Sequence, residues 1–289
     1  MTLESVEALA QQHSVDSAGI AISYRRLGKA GRTPMVFVHG LSYFSYDWLD
    51  VAQRFGAERE CVCIDSRGFG DSGSSTTKDY SVPSMAGDVA TVIRQCGFAK
   101  VVLVGHSMGG RAVTYLAAKE PALARGLVLV DYSPENAAAG LKRTAQSVAG
   151  VPDSFESVDA AMEHFGIARG SEKASKARAR YEAYLRAVPG GFAVKRDVHF
   201  RDQFRRTLET GERPKLGVDM WQLLGEVQCP TLVVRGLASD MFAAETVAKV
   251  RAANTRIDLV EVESGHNVPG ENPAALTAAI RSFLTKLES

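Results

Sequence analysis

A serine stands between closely spaced glycines in the segment 105–109, which reads Gly-His-Ser-Met-Gly, a G-x-S-x-G pattern. It follows the apolar run 101–104 and precedes a segment with helical spacing. A sharp turn of this kind lifts a serine hydroxyl out of the edge of a sheet, and glycines on both sides avoid clashes in the strained backbone. The start of the helix adds free N–H groups and a partial positive charge. The pattern predicts that Ser107 is the nucleophile of an acyl transfer.

A histidine late in the chain is the candidate base. His266 lies in the segment 262–268, after the last predicted strand and before the closing helical pattern. A serine nucleophile needs an imidazole at hydrogen-bonding distance, which accepts its proton and later returns it to the leaving group. We therefore predict that His266 is the general base. His39 and His106, beside other motif residues, are expected to shape the backbone.

Short β-branched runs alternate with helical patterns over most of the chain. Several runs are apolar on both faces, as buried parallel strands are. The alternation predicts an α/β fold with a doubly wound, mostly parallel sheet, and the carboxyl ends of parallel strands share one edge. Ser107 would lie at this edge. The predicted strands cover residues 19–25, 35–38, 61–65, 101–105, 126–130, 231–235 and 257–260.

Residues 134–225 interrupt this alternation, and we call them the insertion. They contain helical segments rich in Ala, Arg and Glu, without a strand pattern. We predict that the insertion forms a helical cap, or lid, placed after the sixth strand of the fold and over the edge that carries the site. Residues 1–133 and 226–289 would form the core domain.

The composition excludes several classes of protein. Among the 289 residues, 34 Lys and Arg balance 33 Asp and Glu, and a net charge of +1 indicates no nucleic-acid partner. The four cysteines include no C-x-x-C pair, so we expect no zinc site or disulfide framework. The chain has no apolar run long enough to span a membrane, and residues 1–7 carry acidic residues where a signal peptide needs basic ones. We therefore expect a cytoplasmic protein without a metal or a membrane partner; the sequence is also compatible with a homodimer.

A second glycine pattern, in residues 68–73, reads Gly-Phe-Gly-Asp-Ser-Gly and matches the G-x-G-x-x-G of dinucleotide sites. A polar loop follows it, whereas a dinucleotide site needs a helix N-terminus there to hold the pyrophosphate. We therefore expect no NAD and no other cofactor.

Four elements, in order along the chain, resemble the α/β-hydrolase superfamily. The resemblance covers nearly the whole chain except the insertion, and it implies an α/β-hydrolase fold with a serine nucleophile, an aspartate and a histidine in that chain order. Within the superfamily the chain is similar to small carboxylesterases and to (E)-2-(acetamidomethylene)succinate hydrolase. The four elements are His39-Gly40-Leu41, the segment 65–72, the turn around Ser107, and Gly265-His266.

The resemblance leaves two candidates for the acid that orients the imidazole. Asp131 follows the predicted strand 126–130, whereas Asp240 follows the strand 231–235 but stands one place beyond the common position, which Ser239 occupies. The succinate hydrolase branch pairs an aspartate at the earlier strand with R-G-x-x-S at the later one, as this chain does. We therefore prefer Asp131 and keep Asp240 as the alternative. Either carboxylate would fix the tautomer of the imidazole and stabilise its charged form.

The resemblance also implies an oxyanion hole and walls of a substrate pocket. The backbone N–H groups of Leu41 and Met108 are expected to stabilise the oxyanion. Arg111, one helical turn past Ser107, is a candidate anchor for a substrate carboxylate, and the succinate hydrolase has an arginine there too. The open alternative is a structural salt bridge below the turn. The expected pocket walls are Tyr43, Phe44 and Trp221.

The activity that follows is cofactor-independent hydrolysis of a carboxylic ester, lactone or amide of a small organic substrate. An acyl-enzyme would form on Ser107, and water would then release the acid. Two alternatives stay open: a carbon–carbon bond hydrolase of vinylogous diketones, and a non-catalytic small-molecule receptor on the same fold.

Overall fold

The computed structural model describes residue 8 and residues 10–212 and 214–289. Segment 1–7, on which part of the cytoplasmic expectation depends, lies outside these ranges. The strands within them are β1 (Gln11–Ser17), β2 (Ile20–Leu27), β3 (Met35–Val38), β4 (Cys61–Ile64), β5 (Val101–His106), β6 (Ala124–Val130), β7 (Ser154–Phe155), β8 (Leu185–Val188), β9 (Gly191–Val194), β10 (Thr231–Gly236) and β11 (Ile257–Val262).

Helices connect most of these strands. A 3₁₀ helix at Ser45–Trp48 precedes the first α-helix. None of the helices in the described ranges combines the length and the apolar character that crossing a bilayer requires. The α-helices are α1 (Leu49–Gln53), α2 (Val82–Gln95), α3 (Met108–Lys119), α4 (Ala138–Gly150), α5 (Val158–His164), α6 (Glu172–Tyr184), α7 (Val198–Thr210), α8 (Met220–Glu226), α9 (Thr246–Ala253), α10 (Val268–Glu271) and α11 (Pro273–Glu288).

The main sheet has the strand order β1-β2-β4-β3-β5-β6-β10-β11 in the described chain. The six strands from β4 to β11 in this order run parallel to one another, whereas β2 pairs antiparallel with both β1 and β4. The prediction of a mostly parallel sheet is therefore confirmed. Because the parallel strands end at one edge, the loops that follow β3, β5, β6, β10 and β11 meet there.

Apolar helices cover both faces of the main sheet. Along β3, Val36 and Val38 point into one apolar cluster, which contains residues of α2 and α3. The intervening Phe37 points into the other cluster, with residues of α1 and α11. Side chains alternate along a strand, so a strand covered on both faces is apolar at every position. This burial explains the continuous apolar runs and confirms the doubly wound arrangement.

The sequence pattern missed four short or exposed strands of the described chain. At the edge of the main sheet, β1 pairs only with β2 and has mostly exposed or half-buried residues, so its apolar pattern is weak. Strands β7, β8 and β9 form a small antiparallel sheet within the insertion. They have two to four residues each, too few for a period to be detected. We expected a wholly helical insertion, and this prediction is wrong.

Candidate active site

Ser107 lies in a strained turn between β5 and α3. Its backbone has a φ of 50° and a ψ of −113°, and a positive φ in a residue other than glycine costs about 1–3 kcal/mol. The first turn of α3 packs closely against the end of β3. A Cβ at Gly109 would stand 2.3 Å from the carbonyl oxygen of Val38, so only glycine allows this approach.

A chain of hydrogen bonds joins a hydroxyl, an imidazole and a carboxylate at the sheet edge. The Oγ of Ser107 lies 3.0 Å from Nε2 of His266. The Nδ1 of His266 lies 2.6 Å from Oδ2 of Asp131. With Nδ1–H donating to the carboxylate, Nε2 is free to accept the proton of the hydroxyl. The structure thus brings together the three residues that the sequence favoured.

The Asp131 carboxylate is buried and receives three hydrogen bonds. Besides the imidazole, the N–H of Gly236 donates to Oδ1 at 2.8 Å, and the hydroxyl of Ser239 donates to Oδ2. A buried charge is stable only when its hydrogen bonds are satisfied, and donors from the end of β10 supply two of them. The carboxylate is therefore fixed beneath the imidazole.

Asp240, the alternative acid, does not take this position. Its carboxylate forms an ion pair with Arg143 of α4 and is 34% exposed. The hydrogen bond from Arg143 lowers the pKa of Asp240. Because the preceding Ser239 turns inward to Asp131, Asp240 turns outward and forms no hydrogen bond with His266 among the described residues. The alternative assignment does not fit this geometry.

Two backbone N–H groups near Ser107 are unpaired in the part of the chain that the structure describes. Within the described ranges, neither the N–H of Leu41 nor that of Met108 donates a hydrogen bond. Both residues line the same cavity as Ser107. The Leu41 segment packs directly on the turn, because a Cβ at Gly40 would stand 3.2 Å from Cβ of Ser107. The two free donors can receive an oxyanion that forms on a substrate bound to Ser107.

Two buried histidines brace the loops around the site. The Nε2–H of His106 donates to the carbonyl oxygen of His266 at 2.9 Å. Burial, together with the nearby His266, lowers the pKa of His106 to about 3, so this ring is neutral. In His39, Nε2 accepts the N–H of Ser66 at 2.9 Å, and Nδ1–H donates to the carbonyl of Gly40 at 2.7 Å. Neither ring reaches Ser107 through a hydrogen bond in the described structure.

A cavity of about 880 Å³ opens above Ser107. Tyr43 and Arg111, both expected as substrate contacts, line it. The Arg111 guanidinium forms no hydrogen bond or ion pair with any described residue, so the structure does not contain the alternative salt bridge. Burial lowers the pKa of Arg111, and no carboxylate offsets that effect. Among the described residues, a cation without a carboxylate partner therefore lines the space in which a substrate would bind.

Phe44 and Trp221, two expected pocket walls, do not line this cavity. Phe44 is buried in an apolar cluster of the insertion, with its ring centroid 5.7 Å from that of Tyr184. Trp221 lies on α8, which packs on the core, and its ring contacts Nζ of Lys249 at 4.2 Å. Both aromatic residues pack between elements, a role that the sequence did not distinguish from a pocket wall.

Several cavity residues had no signal in the sequence. They come from the insertion and from the loop before α2, and only the folded chain places them near Ser107. The ring of Tyr80, for example, stacks on that of His199 with centroids 5.3 Å apart. The cavity residues of this kind include Tyr80, Arg180, Tyr181, His199, Phe200 and Gln203.

Comparison with known proteins agrees with the fold. The model of the alpha/beta hydrolase family matches residues 35–280. The 3-hydroxybutyrate-oligomer hydrolase of Cupriavidus necator is 29% identical over 259 residues, 86% of this chain and 87% of the relative. The 2-(acetamidomethylene)succinate hydrolase of Mesorhizobium japonicum is 27% identical over 271 residues, 93% of this chain and 94% of the relative.

A solved structure extends the comparison to three dimensions. The crystal structure of E-2-(acetamidomethylene)succinate hydrolase aligns with a TM-score of 0.82 at 26% identity, over 96% of this chain and 99% of the other. These relatives support a hydrolase function. The chain, with its family match over most of its length, belongs to the alpha/beta hydrolase family.

Proposed function

We propose that the protein is a cofactor-independent serine hydrolase that cleaves a carboxylic ester of a small organic substrate. The observation that carries the proposal is the continuous hydrogen-bonded chain from Ser107 through His266 to Asp131. The N–H groups of Leu41 and Met108, which are unpaired among the described residues, add a place for the oxyanion. Water and the acyl substrate are the only other reactants that this chemistry requires.

The reaction would proceed through an acyl-enzyme. His266 takes the proton of Ser107 as its Oγ attacks the carbonyl carbon, and the oxyanion binds the N–H groups of Leu41 and Met108. The imidazolium then gives its proton to the leaving alcohol. Water, deprotonated by the same imidazole, attacks the acyl-enzyme. The bond between the acyl carbon and Oγ of Ser107 then breaks, Oγ takes the proton back from the imidazolium, and the acid is released. The Asp131 carboxylate stabilises the imidazolium.

We propose further that Arg111 binds a carboxylate of the substrate. Its guanidinium faces the cavity without a partner among the described residues, and it lies one helical turn beyond the nucleophile. A planar guanidinium binds a carboxylate through two parallel hydrogen bonds. The compounds named for the two relatives, a 3-hydroxybutyrate oligomer and 2-(acetamidomethylene)succinate, are both carboxylic acids. The units of the 3-hydroxybutyrate oligomer are joined to one another by ester bonds.

We propose that the insertion is the lid of this site. Its residues Tyr181, His199 and Gln203 line the cavity, opposite the sheet edge that carries Ser107. Residues 195–197 of the insertion contact the turn that follows β4, where the N–H of Gly70 donates to the carbonyl of Lys195 at 2.9 Å. The insertion would thereby select substrates by the shape of the space that it leaves.

A panel of esters, lactones and amides tests the proposed function, beginning with p-nitrophenyl acetate. We expect the wild-type protein to hydrolyse esters and Ser107→Ala to show no turnover at an almost unchanged melting temperature. Hydrolysis retained in Ser107→Ala would refute the serine mechanism. Ligand-induced thermal stabilisation in both proteins, without any turnover, would indicate a receptor instead.

A further inference from the structure

An arginine of the insertion forms an ion pair with the core beside the candidate oxyanion hole. Arg180 lies in α6, and its Nε donates to Oδ1 of Asp47 at 2.6 Å, while Nη2 donates to Oδ2 at 3.0 Å. Two parallel bonds of this kind fix both the distance and the orientation of the two groups. Arg180 also lines the cavity, so the pair stands at the wall of the site.

Residues 40–47 contain the Leu41 N–H group, and we call them the oxyanion loop. Asp47 is the last residue of this loop. The N–H of Phe44 donates to Oδ2 of Asp47 at 3.2 Å. The N–H of Tyr43 donates to the carbonyl of Gly40 at 3.2 Å, in the turn that contains Leu41. A short path of hydrogen bonds and backbone therefore connects Arg180 to Leu41.

The oxyanion loop is held from two sides. From the core, Oδ1 of Asp65 accepts the N–H of Ser45 at 2.6 Å. From the insertion, Arg180 holds Asp47. The core contact is made within one domain, whereas the Arg180 contact exists only while the insertion is docked.

Aromatic rings enclose the Arg180 guanidinium. Its central carbon lies between 5.4 and 6.0 Å from the ring centroids of Tyr43, Phe44, Tyr181 and Tyr184. Burial by itself would lower the pKa of Arg180, but the charge of Asp47 outweighs that effect and the pKa is raised. The side chain is therefore charged and paired with Asp47, and it is 27% exposed.

We propose that Arg180 is a positioning residue for the oxyanion hole. Its ion pair with Asp47 holds the oxyanion loop so that the Leu41 N–H group points at the oxyanion that forms on the substrate in the transition state. Docking of the insertion and stabilisation of the oxyanion are thereby coupled. This inference rests on the proposed serine hydrolase function.

Steady-state kinetics of Arg180→Met, Arg180→Lys, Asp47→Asn and the double variant Arg180→Met/Asp47→Asn test the proposal, with p-nitrophenyl acetate as substrate. The inhibition constant of a trifluoromethyl ketone, which forms a tetrahedral adduct with a serine nucleophile, is measured in parallel. The matched control is Arg178→Met, because Arg178 lies on the same helix but pairs with Asp159 inside the insertion.

We expect kcat of Arg180→Met to fall about 10- to 100-fold, because a misplaced oxyanion donor weakens binding of the transition state alone. The inhibition constant of the ketone should rise by the same factor, with KM nearly unchanged. Arg180→Lys should lose less than Arg180→Met. The double variant should lose no more than the worse single one, since both residues act through one contact. Arg178→Met should match the wild type.

Three results would overturn the proposal. A raised KM with an unchanged kcat would make Arg180 a substrate contact, and additive losses in the double variant would give the two residues independent roles. Wild-type kcat in all variants would leave the pair without a catalytic effect. Should Arg180→Met fail to fold, Arg180→Lys and Asp47→Asn answer the same question. Labelling of wild-type Ser107 by a fluorophosphonate is established first, so that failure of the proposed function itself is recognised separately.

Discussion

The hydroxyl of Ser239 donates a hydrogen bond to the same carboxylate oxygen of Asp131 that faces His266. In the superfamily that the sequence resembles, the position of Ser239 is the common place for the acid itself. In this chain the acid comes from the end of β6, and the end of β10 supplies two donors that hold it. The end of β6 therefore supplies the carboxylate, and the end of β10 supplies the groups that hold it in place.

Asp131→Asn should lower kcat by about 10⁴-fold, because an amide cannot hold the imidazole in the required tautomer or stabilise its charged form. The measurement is kcat for p-nitrophenyl acetate at neutral pH. The control is Asp240→Asn, which breaks only a partly exposed ion pair with Arg143 and should change kcat by less than about threefold. A larger loss in Asp240→Asn than in Asp131→Asn would reverse the assignment of the acid.

Ser239→Ala should lower kcat by about tenfold, since a hydrogen bond to a charged group contributes about 1.5–3 kcal/mol and the other two donors to Asp131 remain. Ser239→Thr keeps the hydroxyl and should restore most of the activity. An Ala variant as active as the wild type would mean that His266 and Gly236 alone position the carboxylate.

The sequence predicted the parts of the molecule that depend on local pattern. Ser107 and Asp131 each follow a buried apolar strand, and His266 lies in the loop after β11. The ends of parallel strands meet at one edge whatever the rest of the chain does. The choice between Asp131 and Asp240 was harder, because it depends on which residue of the loop after β10 turns toward the site. Only the inward hydroxyl of Ser239 reveals that direction.

The insertion could not be interpreted in the same way. Its strands β7, β8 and β9 are too short for a periodic pattern, and its helix α6 has no strong apolar stripe. The contact between Arg180 and Asp47 joins residues 133 positions apart, and nothing local to either residue predicts it. For the same reason, Phe44 and Trp221 were expected at the pocket but pack between elements.

Arg111→Met should impair only substrates that carry a carboxylate. For an ester with a free carboxylate we expect kcat/KM to fall about 10- to 100-fold, as the loss of a charge-assisted hydrogen-bonded pair predicts. A neutral ester of the same size should be hydrolysed at the wild-type rate or faster, because the variant no longer desolvates a charge. Equal losses for both esters would remove Arg111 from substrate recognition.

The buried His106 should make stability depend on pH. Its pKa is about 3 in the folded protein, whereas an exposed histidine has a pKa of about 6.5, so between these values the unfolded chain binds the additional proton. The free energy of unfolding should therefore fall as the pH decreases below about 6.5, by up to about 1.4 kcal/mol per pH unit for this group. Burial lowers the pKa of His39 as well, which acts in the same direction.

Melting temperatures between pH 7 and pH 5 check this dependence, in a range where most carboxylates stay ionised. His106→Gln removes the titrating group and keeps a donor for the His266 carbonyl, so its melting temperature should vary less with pH than that of the wild type. Parallel curves for the two proteins would show that His106 does not contribute.

Mass spectrometry after treatment with a fluorophosphonate tests the central claim most directly. The strained turn places Oγ of Ser107 3.0 Å from Nε2 of His266. We predict one adduct per chain, located on the peptide that contains Ser107, formed rapidly by the wild type and not by Ser107→Ala. His266→Gln should slow labelling by several orders of magnitude, because no base remains to accept the hydroxyl proton. An adduct on another residue, or ester hydrolysis that continues in Ser107→Ala, would contradict the account.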